Sequence, residues 1–403
     1  MLKYANLPFL NAVLLEEFWM FAERVLKYKK HSLIDLAKLA EGFEDVIYLN
    51  VGEPDFKTPK HILDAAKEAM EKGYTKYTPD EGISELREAI AERENRKIKT
   101  ELTKENVLVT AGSTGAVFAA IMSLVNPGEE VLIQDPWYPG HIRSITLAGG
   151  KVIGVSQVEE KNYSIDLDEL NEKVTKKTKL LILISPNNPT GAVLDYRTLK
   201  GIAEIAMDNN FYVLSDEVYD RFVYDGEFRS IAEVPGMEER TIIVNSFSKT
   251  YCMTGLRIGY AVSSKQIIKE MAKVACAASL SVTSIIQYAA LAALKGPQSY
   301  VEEIVKEYNE RRKLIMRKLK EIPKISFVEP KGAFYVFPNM EKLGISSKKL
   351  VEYLIREARV LVSPGYPFFG PGGKHHIRIS YTVPRDKLET AMERIKQAIE
   401  KLS

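Results

Sequence analysis

The sequence has little cysteine, histidine or glutamine, and none of its apolar runs is long. Cys252 and Cys276 are its two cysteines. A secreted scaffold stapled by disulfides needs more, and a zinc site needs CxxC or Cys/His clusters that are missing here, so both classes are excluded. Two isolated thiols fit a reducing cytoplasm. The histidines, His31, His61, His141, His375 and His376, show no HExxH spacing, which argues against a catalytic metal. No run approaches the ~20 apolar residues of a membrane span. The apolar stretch from Leu7 to Ala22 is broken by Asn11, Glu16 and Glu17 and is followed by no small-residue cleavage site. It reads as an amphipathic helix packed on the protein rather than as a signal peptide. Charge of one sign is lacking as well: 56 basic against 54 acidic residues leave a net charge of +2. Neither nucleic acid nor an anionic membrane is expected as a partner on that balance. Glutamine occurs six times beside abundant lysine and glutamate, a composition that fits adaptation to heat.

The 403 residues suggest more than one structural unit. After Gly52, short apolar runs alternate with helix-period segments. Val107–Thr110, Val131–Gln134, Val152–Val155, Leu180–Ile184, Tyr212–Ser215, Ile242–Asn245 and Ile258–Val262 read as buried strands. Ala116–Val125, Asp168–Thr175 and Leu199–Asn209 read as helices between them. Alternation of this kind predicts an α/β fold, a mostly parallel sheet flanked by helices. Near residue 284 the pattern changes. Ser284–Lys295 reads as a helix stopped by Gly296-Pro297, and Pro297 suits the first position of a long charged helix reaching about Lys320. Strands over Ala333–Phe337, Val360–Ser363 and His376–Tyr381, with helices over Ser347–Ala358 and from Arg385, describe a smaller α+β unit. The expected organisation is a large domain over 51–290, a small one over 291–403, and a 1–50 segment packing with the small domain.

Chemistry concentrates at the ends of the predicted strands, where open α/β sheets place ligands. Ser246-Phe247-Ser248-Lys249-Thr250 follows a buried run, with Arg257 eight positions after the lysine. A lysine that forms a Schiff base needs a neutral amine, favoured by burial and nearby cations. Hydroxyls and a guanidinium also suit a phosphate monoester. Asp216, in Ser215-Asp216-Glu217-Val218-Tyr219, is either a helix N-cap or the carboxylate partner of a protonated pyridine nitrogen, with Tyr219 donating to the phenolic oxygen of the same ring. Ser185-Pro186-Asn187-Asn188-Pro189-Thr190-Gly191 is a tight loop that could present the Asn188 amide to that oxygen. Ala111-Gly112-Ser113-Thr114-Gly115 offers free backbone N–H groups at a helix start, where phosphate binds. It matches neither a Walker loop nor GxGxxG. Tyr138 is a candidate stacking face for a planar ring. Arg378 alternates with Ile377 and Ile379 and is either a residue on an exposed sheet face or a bidentate clamp for a carboxylate.

Taken in order, these motifs resemble the class I/II aminotransferases of the fold-type I pyridoxal-phosphate superfamily. The resemblance covers Val51 to Tyr381 and includes Gly52-Glu53-Pro54-Asp55-Phe56, Tyr77-Thr78-Pro79 and Gly332-Ala333-Phe334-Tyr335. It implies a fold-type I architecture and pyridoxal 5'-phosphate as cofactor. Lys249 then matches the Schiff-base lysine and proton shuttle, Asp216 the partner of the ring nitrogen, and Tyr219 and Asn188 the ligands of the phenolic oxygen. Ser246, Ser248 and Arg257, with the amides of Ser113, Thr114 and Gly115, match the phosphate cup, and Tyr138 the stacking aromatic. Arg378 matches the clamp for the substrate's α-carboxylate, assisted by Asn188 and the backbone of Gly52. Tyr77 matches a tyrosine that reaches the phosphate of a neighbouring subunit, which implies a homodimer with shared sites.

The implied reaction moves an amino group from an L-amino acid to a 2-oxo acid such as 2-oxoglutarate. The alternatives within the same cofactor cage are a C–S lyase or aminocyclopropane carboxylate synthase-like reaction, and an aspartate aminotransferase. Some aspartate-specific relatives carry a lysine where this chain has Thr114, and others an arginine where Ala275–Ile285 has no basic residue. Tyr335, Tyr77 and Phe9 or Phe18 could line a mixed aromatic and apolar pocket, so a neutral or aromatic donor is expected.

Overall fold

A computed structural model describes residues 21–28 and 36–402. Phe9, Phe18 and the expected helix over Leu7 to Ala22 lie outside the described residues, apart from the last two positions of that stretch. Thirteen strands occur among the described residues. β1 (Ile47–Tyr48) stands apart from the main sheet. β2 (Val107–Thr110), β3 (Glu130–Asp135), β4 (Lys151–Val158), β5 (Ser164–Ile165), β6 (Thr178–Ile184), β7 (Tyr212–Asp216), β8 (Thr241–Ser246) and β9 (Gly259–Val262) form one eight-stranded sheet in the order β2-β9-β8-β7-β6-β3-β4-β5. β4, β3, β6, β7 and β8 run parallel. β9 is antiparallel to both β8 and β2, and β5 is antiparallel to β4. The alternating pattern did not reveal this reversal. The connection from β8 to β9, residues 247–258, holds only the single helical turn Phe247–Thr250 and the 3₁₀ turn Thr254–Leu256, with no helix long enough to carry the chain back along the sheet, so β9 returns antiparallel beside β8.

Both faces of the sheet are buried, which is why its strands read as continuous apolar runs. Val131, Ile133, Leu180, Ile182, Leu214, Ile242 and Val244 point to one face and pack under the helices Gly112–Leu124 and Lys265–Ser279. Their alternate neighbours Leu132, Leu181, Leu183 and Val213 point to the other, against the helix Tyr196–Asp208. Helices Ser84–Ile98 and Ser284–Lys295 cover Val107, Val109, Ile243 and Tyr260 beside them.

The long helix spans Ser299–Lys320 with Gln298 at its N-cap, so Pro297 precedes the cap instead of opening the helix. It packs with helices Ser347–Ala358 and Arg385–Leu402 and with β10 (Tyr335–Val336), β11 (Val360–Leu361), β12 (Ser363–Pro364) and β13 (Ile377–Ser380) around one apolar cluster. β13 lies between β10 and β12, antiparallel to both. β1 pairs in parallel with β11, Ile47 opposite Val360, and Leu49 enters the same cluster. No helix among the described residues is long and apolar enough to cross a membrane.

Candidate active site

Register brings the strand ends together. Asp216, the last residue of β7, pairs with Ile184, the last residue of β6, and with Val244, two residues before the end of β8. Gly259 opens β9 opposite both Ser246 and Thr110, so the antiparallel strand starts where its neighbours finish. Loops 185–191, 217–219, 247–258 and 111–113 therefore emerge at one edge of the sheet. They enclose a cavity of about 240 Å³ lined by Gly52, Ser113, Thr114, Tyr138, Asn188, Asp216, Tyr219, Ser246, Ser248, Lys249, Arg257, Tyr335 and Arg378. All of these are positions that the sequence had singled out. Gly115 lies one residue deeper in its helix and does not line the cavity. Tyr77 is 85% exposed and stands outside it as well.

Lys249 sits in a single helical turn, Phe247–Thr250, capped by the Ser246 hydroxyl, which accepts from the Ser248 amide at 3.1 Å. Its Nζ donates to the Gly52 carbonyl at 2.6 Å. Burial lowers the amine's pKa to about 8; Arg378 and Arg257 push the same way, and Glu53 and Asp216 oppose them. An amine so placed is neutral far more often at pH 7 than an exposed lysine.

Asp216 is not a helix N-cap, because turns and not a helix follow β7. Its buried carboxylate is held by His141 Nε2 at 2.9 Å and by the Val218 amide at 3.3 Å. His141 lies in the first turn of helix Pro139–Leu147, which also places Tyr138 as its N-cap, with the tyrosine ring edge-on to the imidazole at 5.4 Å. In the sequence His141 is one of five histidines without an evident role, since no local signal ties it to a carboxylate 75 positions away. Equally unsigned was the support behind Ser246. The Asn245 side chain accepts from the Ser246 amide at 2.7 Å and donates to Asp220 at 3.0 Å, and Asp220 is paired with Arg93 at 2.6 Å. Val51, Ile184, Val218 and Thr254 complete the lining and were also missed.

At the opposite wall the helix Gly112–Leu124 begins after Ala111 with no side-chain cap. Its first N–H groups are thus free for an anion. Gly112 has φ +71°, and a Cβ there would come within 2.6 Å of Arg257 Nη2. Glycine is what lets the guanidinium lie against the start of the helix.

Arg378 is buried, 1% exposed, on the central strand of its small sheet. Its Nη1 donates to Asn188 Oδ1 at 2.9 Å and its Nη2 to the Asn50 carbonyl at 2.5 Å. Tyr335 and Phe369 flank the guanidinium with ring centroids at 4.6 and 4.9 Å. Among the described residues no carboxylate pairs with it, and its Nε has no acceptor. A buried cation without a counter-ion is costly unless a ligand supplies the anion. Because Asn188 Oδ1 is engaged by Arg378, the Asn188 Nδ2 is left free to donate into the cavity.

An amine tuned toward neutrality, a carboxylate steadied by histidine, an uncapped helix start beside an arginine and a second, unpaired arginine define a fold-type I transferase site at the carboxyl edge of an α/β sheet. The chain belongs to the class I and II aminotransferases: the model of that family matches residues 44–395. It is 44% identical to an aspartate aminotransferase of Pyrococcus horikoshii, over 95% of this chain and 98% of the relative. It is 42% identical to aromatic-amino-acid aminotransferase 2 of Thermococcus litoralis, over 90% of this chain and 94% of the relative. Among solved structures, aspartate aminotransferase from Thermus thermophilus with maleate matches with a TM-score of 0.90 at 35% identity, covering 94% of this chain and 99% of that one. The protein is an amino-acid aminotransferase, of a family that works with pyridoxal phosphate.

Proposed function

We propose that this cleft binds pyridoxal 5'-phosphate and transfers the amino group of a neutral or aromatic L-amino acid to a 2-oxo acid. The observation that carries the reading is the buried, carboxylate-free Arg378 facing a half-buried lysine whose amine burial has brought toward neutrality. The donor set fits the cofactor. Ser246, Ser248, Arg257 and the amides of Ser113 to Gly115 would hold its phosphate, and Tyr138 would lie along its ring. Asp216, fixed by His141, would keep a proton on the ring nitrogen. Tyr219 and Asn188 Nδ2 would donate to its phenolic oxygen, and Lys249 would hold its aldehyde carbon. When bound, pyridoxal phosphate supplies an electron-accepting ring that stabilises negative charge developing at the substrate's Cα. Lys249 Nζ then moves the proton to and from that Cα, a role open only to an amine that is neutral for a useful fraction of the time. Arg378 fixes the α-carboxylate, and through it the angle at which the Cα–H bond meets Lys249.

The substrate class follows from charge. The cationic side chains lining the cavity are Lys249, Arg257 and Arg378. All three have tasks common to every substrate. Thr114 adds none, so among the described residues nothing offsets desolvation of a second carboxylate. Aspartate is the second reading, favoured by the names of several relatives. We also read the chain as lobes over 51–290 and 291–403 with 1–50 joined to the second, a division supported by the pairing of β1 with β11. Exposed Tyr77 fits a residue given to a partner copy's site in a homodimer.

Half-reaction rates for alanine, leucine, phenylalanine, aspartate and glutamate test the assignment in wild type and in Arg378→Ala. A charge-assisted bidentate contact contributes about 1.5–3 kcal/mol, so Arg378→Ala should lower kcat/KM by about 100-fold for every donor alike. Wild type should favour the neutral donors. Aspartate reacting more than about tenfold faster than all of them, a gap of about 1.4 kcal/mol, would replace this substrate class with the second reading.

A further inference from the structure

We propose that Tyr335 is a positioning residue for the cofactor's phenolic oxygen: its hydroxyl donates to the Tyr219 hydroxyl and thereby commits the single Tyr219 proton to that oxygen. The inference rests on the reading that pyridoxal phosphate occupies this cleft. The two hydroxyl oxygens are 2.8 Å apart, with the rings edge to face at 5.7 Å and 87°. Both side chains are buried. A phenol carries one proton and can accept through its lone pairs. Once Tyr219 gives its proton to the cofactor, its oxygen can only accept, so the 2.8 Å contact must then be donated by Tyr335. Two hydrogen bonds in line polarise one another, and each strengthens its neighbour.

Tyr335 is held so that it has little choice of partner. It lies on β10 opposite Ser380 of β13. Its ring stacks on the Arg378 guanidinium at 4.6 Å. Its hydroxyl occupies the space above Gly52, where an added Cβ would fall 1.8 Å from the oxygen. Burial raises the Tyr335 pKa to about 12, against the pull of Arg378, and burial also holds the Tyr219 phenol well above its ordinary value. Both phenols therefore keep their protons through the working pH range, and the chain of donors stays intact.

A bond donated to the phenolic oxygen draws electron density from it. Weakening that donation therefore raises the pH at which Lys249 Nζ, holding the cofactor, gives up its proton. The test is a pH titration of the visible absorbance of the holoenzyme. Tyr335→Phe should raise the midpoint by about half a pH unit, and Tyr219→Phe should raise it further. In the double variant, Tyr335→Phe should add nothing to the effect of Tyr219→Phe. KM for the amino donor should stay within about twofold, because phenylalanine keeps the stack on Arg378, while Tyr335→Leu should raise KM as well. An unmoved midpoint in Tyr335→Phe overturns the proposal. So does an equal shift with Tyr219 already replaced, which would make Tyr335 act through Arg378 alone. If the wild-type protein mixed with pyridoxal phosphate shows no pH-dependent visible band, the cofactor reading itself fails, a result distinct from the first two.

Discussion

Lys249→Met should lower kcat by about 10⁴-fold, the upper end of what a positioned general base contributes. Lys249 is the one lysine lining the cavity, and no other base among the lining residues is free of a structural partner for the Cα proton. The same substitution should make the cofactor-free protein more stable at pH 7. The amine's folded pKa, about 8, lies below its ordinary value of 10.5, because burial opposes its charge. The unfolded chain thus binds more protons between pH 8 and 10.5, and the apoenzyme gains stability as pH rises through that window. Below it the buried charge costs on the order of 3–4 kcal/mol, the free energy of a pKa displaced from 10.5 to about 8. Methionine removes the charge and keeps the volume. Urea unfolding should show Lys249→Met above wild type at pH 7, with the gap shrinking toward pH 10. A kcat within tenfold of wild type would mean that another group handles the proton.

Asp216→Ala should cost about 10³-fold in kcat, and far more than Tyr219→Phe. On the proposed reading the buried carboxylate would hold a charge opposite the cofactor's ring nitrogen, and breaking a buried ion pair costs about 3–5 kcal/mol. Removing the Tyr219 hydroxyl deletes a neutral hydrogen bond of about 1 kcal/mol, roughly a fivefold to tenfold effect. Helix Pro139–Leu147 should keep its fold without Asp216, since it opens on Pro139 and packs on helix Gly112–Leu124 and on β4 independently of the contact. Steady-state kcat for the two variants, with cofactor occupancy measured in each, separates the roles. Equal losses would place the ring-nitrogen role elsewhere.

The positions of the site residues could be read from the sequence because each sits at the end of an apolar run long enough to be a buried strand. Lys249, Asp216, Asn188 and Ser113 all follow such runs, and the sheet's register does the rest. Arg378 was legible as one of two choices. Its alternation with Ile377 and Ile379 allowed an exposed face, yet every residue of β13 is buried, because β13 lies between two strands and against Tyr335 and Phe369. The reversal of β9 was hidden, since a buried strand has the same pattern in either direction. The contacts behind the site were hidden for a different reason. His141 with Asp216, and Asn245 with Asp220 and Arg93, join residues far apart in the chain through polar side chains that carry no periodicity. Pro297 misplaced a helix start by two residues, within the usual fraying of helix ends.

The central claim, that Lys249 is the residue to which pyridoxal phosphate attaches, is tested most directly by borohydride reduction of the holoenzyme followed by peptide mapping. The pyridoxyl group should appear on the peptide carrying Ser246-Phe247-Ser248-Lys249, at Lys249 alone. With apoenzyme and added cofactor, the rate of labelling should rise with pH through a midpoint near 8, the pKa of the buried amine. A pyridoxyl group on any other lysine, with Lys249 unmodified, would contradict the account.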